Sequence, residues 1–455
     1  MMRPFLKTPA PWLVLQSLAV LLWHGVLGKL EPKRVGDVHG YLELVEADSL
    51  GEILTSVRTY GYPLFLKVFG VFFDGLGWVP PVQLVLYLAS VVLFWWALSR
   101  YSGRKWLALA AASPLFYGSM LEQIRRLQAD FLGATWALVT VSLLLRLATR
   151  PASRWRLGMV GAALAMTYHT RPAYLFLVVL VPLVGPFLRW CREATEIREL
   201  ARWTVRLTAT AVVPYLLYCT LRLVVVGHFG LVSFGGLNMI GLAGSFLDAD
   251  LVAELPAQDQ SLAGEILAAR EAKGYKPMVT TFPARRWYSQ YDFNVWQVAI
   301  PLVEEKLGPR KETFPAINET LTGLSGRIIR LRPGLYKHWL VGGLIYGIGN
   351  GLSVFWILVP AFALFCSLPL ALTQIHPRPE GGAALRIRDP VAEGKAWSYV
   401  LALVGLSGVY FLGSLSLVVV IEVPGERYLQ PAVLLLPSAL CAILFQLWKQ
   451  RWDQR

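Results

Sequence analysis

The chain has 455 residues, of which 55% are hydrophobic and only 16% are charged, and its formal net charge is +14. Soluble proteins carry about 25% charged residues, so this composition excludes an ordinary soluble domain and indicates a polytopic membrane protein. Basic residues retained on the cytoplasmic side of a membrane account for most of the positive charge, without any nucleic acid as a partner.

Apolar stretches of roughly 20 residues, the length that crosses a bilayer as a helix, recur along the chain. The first follows Arg3 and Lys7 but lacks a small-residue cleavage site, which favours a retained span over a signal peptide. The predicted fold is an all-α membrane protein of about ten transmembrane helices. The candidate spans lie near residues 11–27, 79–98, 106–121, 131–147, 157–170, 172–188, 203–226, 339–370, 397–421 and 429–447.

Arginine and lysine are concentrated in alternate connections between these spans. Such connections stay on the cytoplasmic side, so both termini are predicted to be cytoplasmic, and a bacterial cytoplasmic membrane is the expected location. The basic residues are Arg100, Arg104, Lys105, Arg146, Arg150, Arg154, Arg156, Arg189, Arg192, Arg198, Arg202, Arg206, Arg378, Arg386, Arg388, Lys395, Lys449, Arg451 and Arg455. The outer face then receives residues 28–78, 122–130, 169–172, 227–338 and 422–428.

This topology divides the chain into three parts. Residues 1–226 form a transmembrane module of about seven helices, and residues 339–455 form a C-terminal module of about three. Residues 227–338 form a smaller extracytoplasmic domain, mostly α or α/β. No extracytoplasmic disulfide framework is expected, because the cysteines all fall in spans or on the cytoplasmic side, at Cys191, Cys219, Cys366 and Cys441.

The first outer loop, residues 28–78, is long, aromatic and acidic. Asp37, His39 and Tyr41 lie close together in it, and an amphipathic run and an aromatic segment containing Tyr62 follow. Two interpretations of Asp37 are open. It is a structural residue, either a solvated loop carboxylate or the cap of the helix that follows, or it is a general base held at a desolvating interface and able to take a proton from a hydroxyl group.

The second outer loop carries acids and arginines that also admit two interpretations. Glu122, Arg126 and Asp130 recur every fourth residue, so one helix face could pair them in simple salt bridges. Alternatively, one acid holds an acceptor or a divalent ion, while Arg125 or Arg126 contacts a phosphate, which a guanidinium binds as a fork.

The third and last outer loops add charged and aromatic side chains at span ends. His169 and Arg171 precede one span, and Glu426, Arg427 and Tyr428 precede the last. Arginines in these places either reach the membrane interface or bind a phosphate. The outer loops together bring acids and arginines to one membrane surface.

The segment 227–338 is the only outer segment large enough for a folded domain. Its tripeptide Asp248-Ala249-Asp250 matches a metal-binding pattern that is common by chance. Its aromatic residues could stack on sugar rings but are more often the core of a small domain; they are Trp287, Tyr288, Tyr291 and Trp296.

Four of these stretches resemble the GT-C superfamily of membrane glycosyltransferases, which includes protein O-mannosyltransferases and lipid A aminoarabinose transferases. The family's acid in the second outer loop could be Glu122 or Asp130, and Asp130 fits the spacing better. Residues 227–338 match no part of the family pattern. The four stretches are Gly36-Asp37 with Tyr41, Tyr60-Gly61-Tyr62-Pro63-Leu64-Phe65-Leu66, Thr170-Arg171-Pro172, and Glu426-Arg427-Tyr428 with Pro431.

The resemblance implies transfer of a sugar from a polyprenyl-phosphate donor to a glycan, lipid or protein acceptor on the outer face, with inversion at the anomeric carbon. It makes Asp37 the general base and Arg427 and Arg171 the phosphate partners, with Arg125 and Arg126 as further candidates. A lipid-linked phosphate leaves readily, so one base and cations suffice and no bound metal is required. The expected substrate contacts are His39, Tyr41, Tyr62, Glu122, Asp130, His169, Glu426 and Tyr428.

An alternative from another class is a carrier or flippase for a lipid-linked sugar. Transporters of that kind tend to show inverted repeats and ionisable residues near the membrane midplane, and neither is evident in this sequence.

Overall fold

The structure, a computed structural model, describes residues 8–193, 195–278, 290–308, 313–352 and 390–453. Regular secondary structure in these ranges is helical, apart from one isolated bridge between Lys33 and Arg126. Several residues discussed above lie outside the described ranges, namely Arg3, Lys7, Trp287, Tyr288, Cys366, Arg378, Arg386, Arg388 and Arg455.

The helices before residue 227 include those that carry the predicted outer loops and most of the predicted spans. They are α1 (Ala10–Val26), α2 (Val38–Glu46), α3 (Leu50–Thr55), α4 (Gly61–Gly70), α5 (Val79–Ser102), α6 (Lys105–Ala112), α7 (Ala129–Leu147), α8 (Arg154–Thr170), α9 (Phe176–Glu193) and α10 (Ile197–Val226).

The helices after residue 227 are shorter at first and then lengthen towards the C-terminus. They are α11 (Gly235–Ala243), α12 (Ala249–Glu254), α13 (Ala257–Ala272), a π-helix (Phe293–Ala299), α14 (Ile300–Leu307), α15 (Thr313–Leu331), α16 (333–352), α17 (Pro390–Ile421), α18 (Glu426–Ala432) and α19 (Leu436–Asp453).

Within the described residues, five helical segments are long and apolar enough to cross a membrane, and α18 with α19, bent by 43°, makes a sixth if the pair is one span. These segments coincide with six of the predicted spans and agree with an all-α membrane protein. A total of about ten spans stays a prediction. The five are Val79–Ser102, Ala129–Leu147, Pro172–Glu193, Ile197–Val226 and Gly394–Ile421.

The remaining predicted spans differ from the structure in length or continuity. The prediction of one span over 106–121 is wrong, because α6 ends at Ala112 and two 3₁₀ turns follow. Pro114 in the first turn lacks the backbone donor that a continuing helix requires. Helices α1 and α8 have 17 residues each, and only the part of 339–370 within α16 is described.

The basic connections meet at one end of the bundle. At the end of α9, Arg192 donates a hydrogen bond to the carbonyl of Arg100 at the end of α5 (3.2 Å), and Arg189 donates one to the carbonyl of Ala148 after α7 (3.2 Å). The helix ends that carry Asp130, Arg171 and the other residues of the predicted outer loops therefore lie at the opposite end of the bundle.

The regular secondary structure described in residues 227–338 is helical, and the core of this segment is continuous with the C-terminal helices. Leu237, Ile266 and Val295 belong to the same buried cluster as Phe411 and Leu415 of α17. The segment predicted as a separate domain therefore packs against a candidate span.

Helix α16 approaches α17 closely through glycines spaced four residues apart. A Cβ atom at Gly343 or Gly351 would lie only 2.8–2.9 Å from the side chain of Val419 or Phe411, and one at Gly347 would lie closer still to Leu415. Small residues at this spacing let two membrane helices pack backbone to backbone.

Another close approach joins the first outer loop to the end of α8. Gly61 at the start of α4 lies against the last turn of α8, where a Cβ atom would be 2.5 Å from the carbonyl carbon of His169 and 2.6 Å from the nitrogen of Thr170. Because both neighbours are backbone atoms, they cannot move aside as a flexible side chain can.

We expect Gly61→Ala to destabilise the protein by about 1–3 kcal/mol, the usual result of overpacking a close contact. Gly70→Ala is the matched control, since Gly70 ends the same helix and has open space around it. The measurement is the apparent thermal unfolding midpoint of each variant in detergent. Equal midpoints for the two variants would contradict a tight α4–α8 contact.

Candidate active site

A continuous chain of ion pairs joins residues from distant segments. Arg58 donates to one oxygen of Asp37 (2.6 Å), and Arg427 donates to the other. Arg427 also donates to Asp130 through Nε (3.2 Å) and Nη2 (3.1 Å), and Arg171 Nε lies 3.0 Å from the second oxygen of Asp130. Guanidinium groups and carboxylates alternate, and the chain ends in a guanidinium at both ends.

Helix ends place these side chains. Asp37 precedes α2, Asp130 lies in the first turn of α7, Arg171 follows α8, and Arg427 lies in the first turn of α18. The partial positive charge at the start of α7 also favours the Asp130 carboxylate. Gly133, one turn later in α7, lets Arg171 approach, since a Cβ there would be 3.0 Å from the Arg171 Cβ.

Asp130 is the most deeply buried member, with 1% of its side chain exposed. A buried carboxylate without partners is costly, whereas contacts with both Arg171 and Arg427 offset its desolvation. Asp130 therefore holds the two arginines side by side. Tyr428 supports the same arrangement, because both guanidinium groups lie over its ring, at 5.6 and 6.0 Å from the centroid.

A cavity of about 810 Å³ opens beside the ion-pair chain. Its polar residues are Asp37, Arg58, Gln128, Arg171, Glu422, Arg427, Tyr428, Asn238, Asp292 and Gln297. Its apolar side is formed largely at the ends of candidate spans, by Leu175, Tyr215, Leu417, Val418 and Ile421, together with Leu231 and Val232. The cavity thus combines a surface of arginines and acidic residues with an apolar wall.

The carboxyl groups of this cavity fall into two electrostatic classes. Burial by itself would raise the pKa of Asp37, but the guanidinium groups of Arg58 and Arg427 outweigh burial and lower it. For Glu422, burial dominates and raises the pKa to about 7, against partial opposition from Tyr428, Arg171 and Arg427. Asp37 is therefore ionised at neutral pH, while Glu422 titrates near neutrality.

The alternative interpretation of Asp37 as a helix cap is wrong. Asp37 occupies the N-cap position of α2, but its side chain makes no capping hydrogen bond and pairs with Arg58 and Arg427 instead. The single-helix salt-bridge interpretation of the second loop is also wrong. Glu122 lies in a 3₁₀ turn, Asp130 lies in α7, and the chain between them is not one helix.

The structure brings Asp37, Tyr41, Arg171, Arg427 and Tyr428 to the cavity, with Asp130 directly behind the arginines. Other predicted site residues lie elsewhere. His39 is 90% exposed and faces Glu43, and Glu426 is exposed on α18.

Five further predicted site residues do not line the cavity and instead contact other parts of the protein: Tyr62, Glu122, Arg125, Arg126 and His169. Tyr62 is fully buried against Tyr41, and His169 lies between the rings of Tyr168 and Tyr218. In the second loop, Glu122 accepts a hydrogen bond from Gln430 (3.3 Å), while the backbone of Arg125 and Arg126 pairs with Lys33.

Sequence reasoning missed Arg58, Asp292 and Glu422 as members of this site. Arg58 had a usable signal, because an arginine in an outer loop runs against the bias of basic residues towards the cytoplasm. Glu422 was assigned to the outer face but given no role. Asp292 had no signal, since only packing of residues 227–338 brings it to the cavity.

Within the described residues, no cluster of three or more His, Cys, Asp or Glu side chains is suited to hold a metal ion. Asp248, in the tripeptide that resembles a metal clamp, caps α12 by accepting a hydrogen bond from the backbone of Leu251 (2.7 Å).

Comparison with known proteins gives no relative for this chain: no family model, no curated protein and no solved structure matches it.

Glu422 predicts a specific pH dependence of stability. Its pKa rises from an ordinary 4.5 to about 7 on folding, so between these values the folded protein binds the proton that the unfolded chain releases. The free energy of unfolding therefore falls as the pH rises through this window, by about 1–3 kcal/mol, and does not recover above it.

Glu422→Gln cannot ionise and should lack this loss. We expect its apparent thermal midpoint in detergent to change less than that of the wild type between pH 5 and pH 8. Glu426→Gln, an identical change at an exposed position of α18, is the control and should follow the wild type. Parallel curves for all three proteins would show that Glu422 is not the titrating group.

Proposed function

We propose that this protein is an integral membrane glycosyltransferase. It moves a sugar from a polyprenyl-phosphate donor to a glycan, lipid or protein acceptor on the extracytoplasmic face, as the resemblance to the GT-C superfamily implies. A bacterial cytoplasmic membrane with both termini inside is the proposed setting.

The observation that carries this proposal is the composition of the cavity. In the ion-pair chain, the guanidinium groups of Arg58, Arg171 and Arg427 outnumber the carboxylates of Asp37 and Asp130. This part of the lining can therefore accept an anionic group, while Asp292 and Glu422 also line the cavity. The apolar wall at the ends of candidate spans suits the hydrocarbon chain attached to that anion. A lipid-linked phosphate has both features in one molecule.

The proposed reaction is an in-line displacement at the anomeric carbon. The acceptor hydroxyl attacks that carbon and forms the new glycosidic bond, while the bond between the carbon and the phosphate oxygen breaks. The hydroxyl proton passes to Asp37, and polyprenyl phosphate leaves with one additional negative charge. Arg427 and Arg171 stabilise the charge that develops on the phosphate, and the configuration at the anomeric carbon is inverted.

Donor binding would also change the basicity of Asp37. Arg427 uses Nε and Nη2 on the two carboxylates, and its Nη1 makes no hydrogen bond within the described part of the chain. A phosphate that engages Arg427 competes with Asp37 for this guanidinium. Asp37 then loses part of the charge that lowers its pKa and becomes a stronger base when the donor is present.

Asp37→Asn keeps the shape of the side chain and removes the base, so we expect transfer to slow by about 10²–10⁴-fold. Asp74→Asn, in the exposed part of the same loop, is the matched control and should keep the wild-type rate. The assay follows label from a panel of radiolabelled polyprenyl-phosphate sugars into product with purified protein.

Two other outcomes of that assay are informative. Wild-type turnover by Asp37→Asn would remove Asp37 as the base and direct attention to Glu422. Transmembrane movement of the labelled lipid by the wild type, without any transfer product, would favour the carrier or flippase alternative.

The proposed orientation makes a separate prediction. In a background where all cysteines are replaced by serine, His39→Cys should react with a membrane-impermeant thiol reagent in intact cells, because His39 is exposed in the first outer loop. Arg198→Cys, exposed at the start of α10, should react only after permeabilisation. The reverse pattern would invert the topology and place the cavity on the cytoplasmic side.

A further inference from the structure

One wall of the cavity differs in chemistry from the ion-pair chain. It is formed by the segment 227–338, which begins before α11 and continues through the π-helix. Its lining side chains include Phe234, Asn238, Asp292, Trp296 and Gln297. The wall contains aromatic rings, side-chain amides and one carboxyl group, but no basic residue.

Trp296 supplies an open aromatic face. Its exposed fraction is 44%, and it lines the cavity instead of joining the buried cluster that contains its neighbours Val295 and Val298. Phe234 lies beside it, with a ring separation of 6.0 Å and an interplanar angle of 41°. The exposed part of the indole can therefore receive a flat apolar surface.

The polar side chains of this wall are available to a ligand with hydroxyl groups. The hydroxyl of Tyr291 donates to Asn238 Oδ1 (2.9 Å), which orients the amide and leaves Nδ2 as a donor. Gln297 is exposed, and Asp292 forms no ion pair within the described ranges. Together they offer both donors and acceptors next to the aromatic face.

We infer that this wall is a saccharide subsite, in which one ring face of a sugar packs on Trp296 while its hydroxyl groups bond to Asn238, Asp292 and Gln297. The inference rests on the proposed function, because it names where the sugar of that reaction binds. It gives residues 227–338 a role in recognising the substrate.

Other ligands fit this wall less well. A phosphate or other anion would be repelled by Asp292, and the cations that could bind it belong to the ion-pair chain and not to residues 227–338. A hydrocarbon chain would leave the amides and the carboxyl group without hydrogen bonds, which is costly in a desolvated site. A neutral ring with hydroxyl groups and one apolar face satisfies both sets of groups.

The wall is close enough to the reacting groups to serve them. Asp292 interacts electrostatically with both Asp37 and Arg427. A sugar on Trp296 thus lies between the wall and the ion-pair chain. It belongs either to the donor, with its anomeric carbon towards the arginines, or to the acceptor, with a hydroxyl towards Asp37.

The test compares wild type with Trp296→Ala, Trp296→Phe and the control Trp155→Ala, which removes a 77%-exposed indole at the other end of the bundle. Binding of bare polyprenyl phosphate and of polyprenyl-phosphate hexoses and pentoses is measured in detergent. Saturation-transfer NMR with methyl glycosides of the same sugars gives a readout that requires neither phosphate binding nor transfer.

We expect Trp296→Ala to bind bare polyprenyl phosphate as the wild type does and to lose about three- to tenfold in affinity for the sugar-bearing lipid. Trp296→Phe should recover most of this loss, and Trp155→Ala should show none. If donor affinity is unchanged but the KM for the acceptor rises by a similar factor, the subsite receives the acceptor sugar.

The subsite would be overturned if Trp296→Ala matched the wild type in donor affinity, acceptor KM and glycoside contact. A failure of the proposed function gives a different pattern. The wild type would then bind no polyprenyl phosphate and transfer no sugar, while glycoside contact that depends on Trp296 would still identify a saccharide site.

Discussion

The contact of Arg427 with both Asp37 and Asp130 is the interaction on which the candidate site depends. It joins residues that are 390 and 297 positions apart in the chain. Through it, the first outer loop, the start of α7 and the C-terminal helices meet at one point. Because Asp130 is almost completely buried, removing Arg427 would leave a desolvated carboxylate with a single partner, Arg171. The same contacts therefore fix the geometry of the site and the packing of these three segments.

The environment shifts the pKa values of two carboxyl groups of the cavity in opposite directions. Asp37 lies between two guanidinium groups that lower its pKa, whereas burial raises the pKa of Glu422 to about 7. Groups whose pKa values are pushed apart in one site commonly differ in their roles. In the proposed reaction, the charged state of Asp37 is ready to accept a proton once a phosphate competes for Arg427. Glu422 then sets the net charge around the arginines as the pH approaches neutrality.

Two parts of the chain contribute chemically different side chains to the cavity. The ends of the candidate spans contribute the arginines and an apolar wall, and residues 227–338 contribute an aromatic and amide-rich wall. The two contributions meet because the core of 227–338 continues into α17 through Phe411 and Leu415, with α16 held against the same helix by its glycines. In this arrangement α17 connects the side of the cavity proposed to bind a phosphate with the side proposed to bind a sugar.

The sequence alone determined the all-α membrane class and several span positions, because composition and apolar run length are local properties. It also singled out Asp37, Arg171 and Arg427, because the bias of basic residues assigns these three to the predicted outer face and because their stretches resemble the GT-C pattern. Only the tertiary structure decided that Arg58, Asp292 and Glu422 share their cavity, while His39 and Glu426 face outwards. The physical reason is that an ion pair between residues hundreds of positions apart depends on how helices pack, and neither periodicity nor composition contains that information.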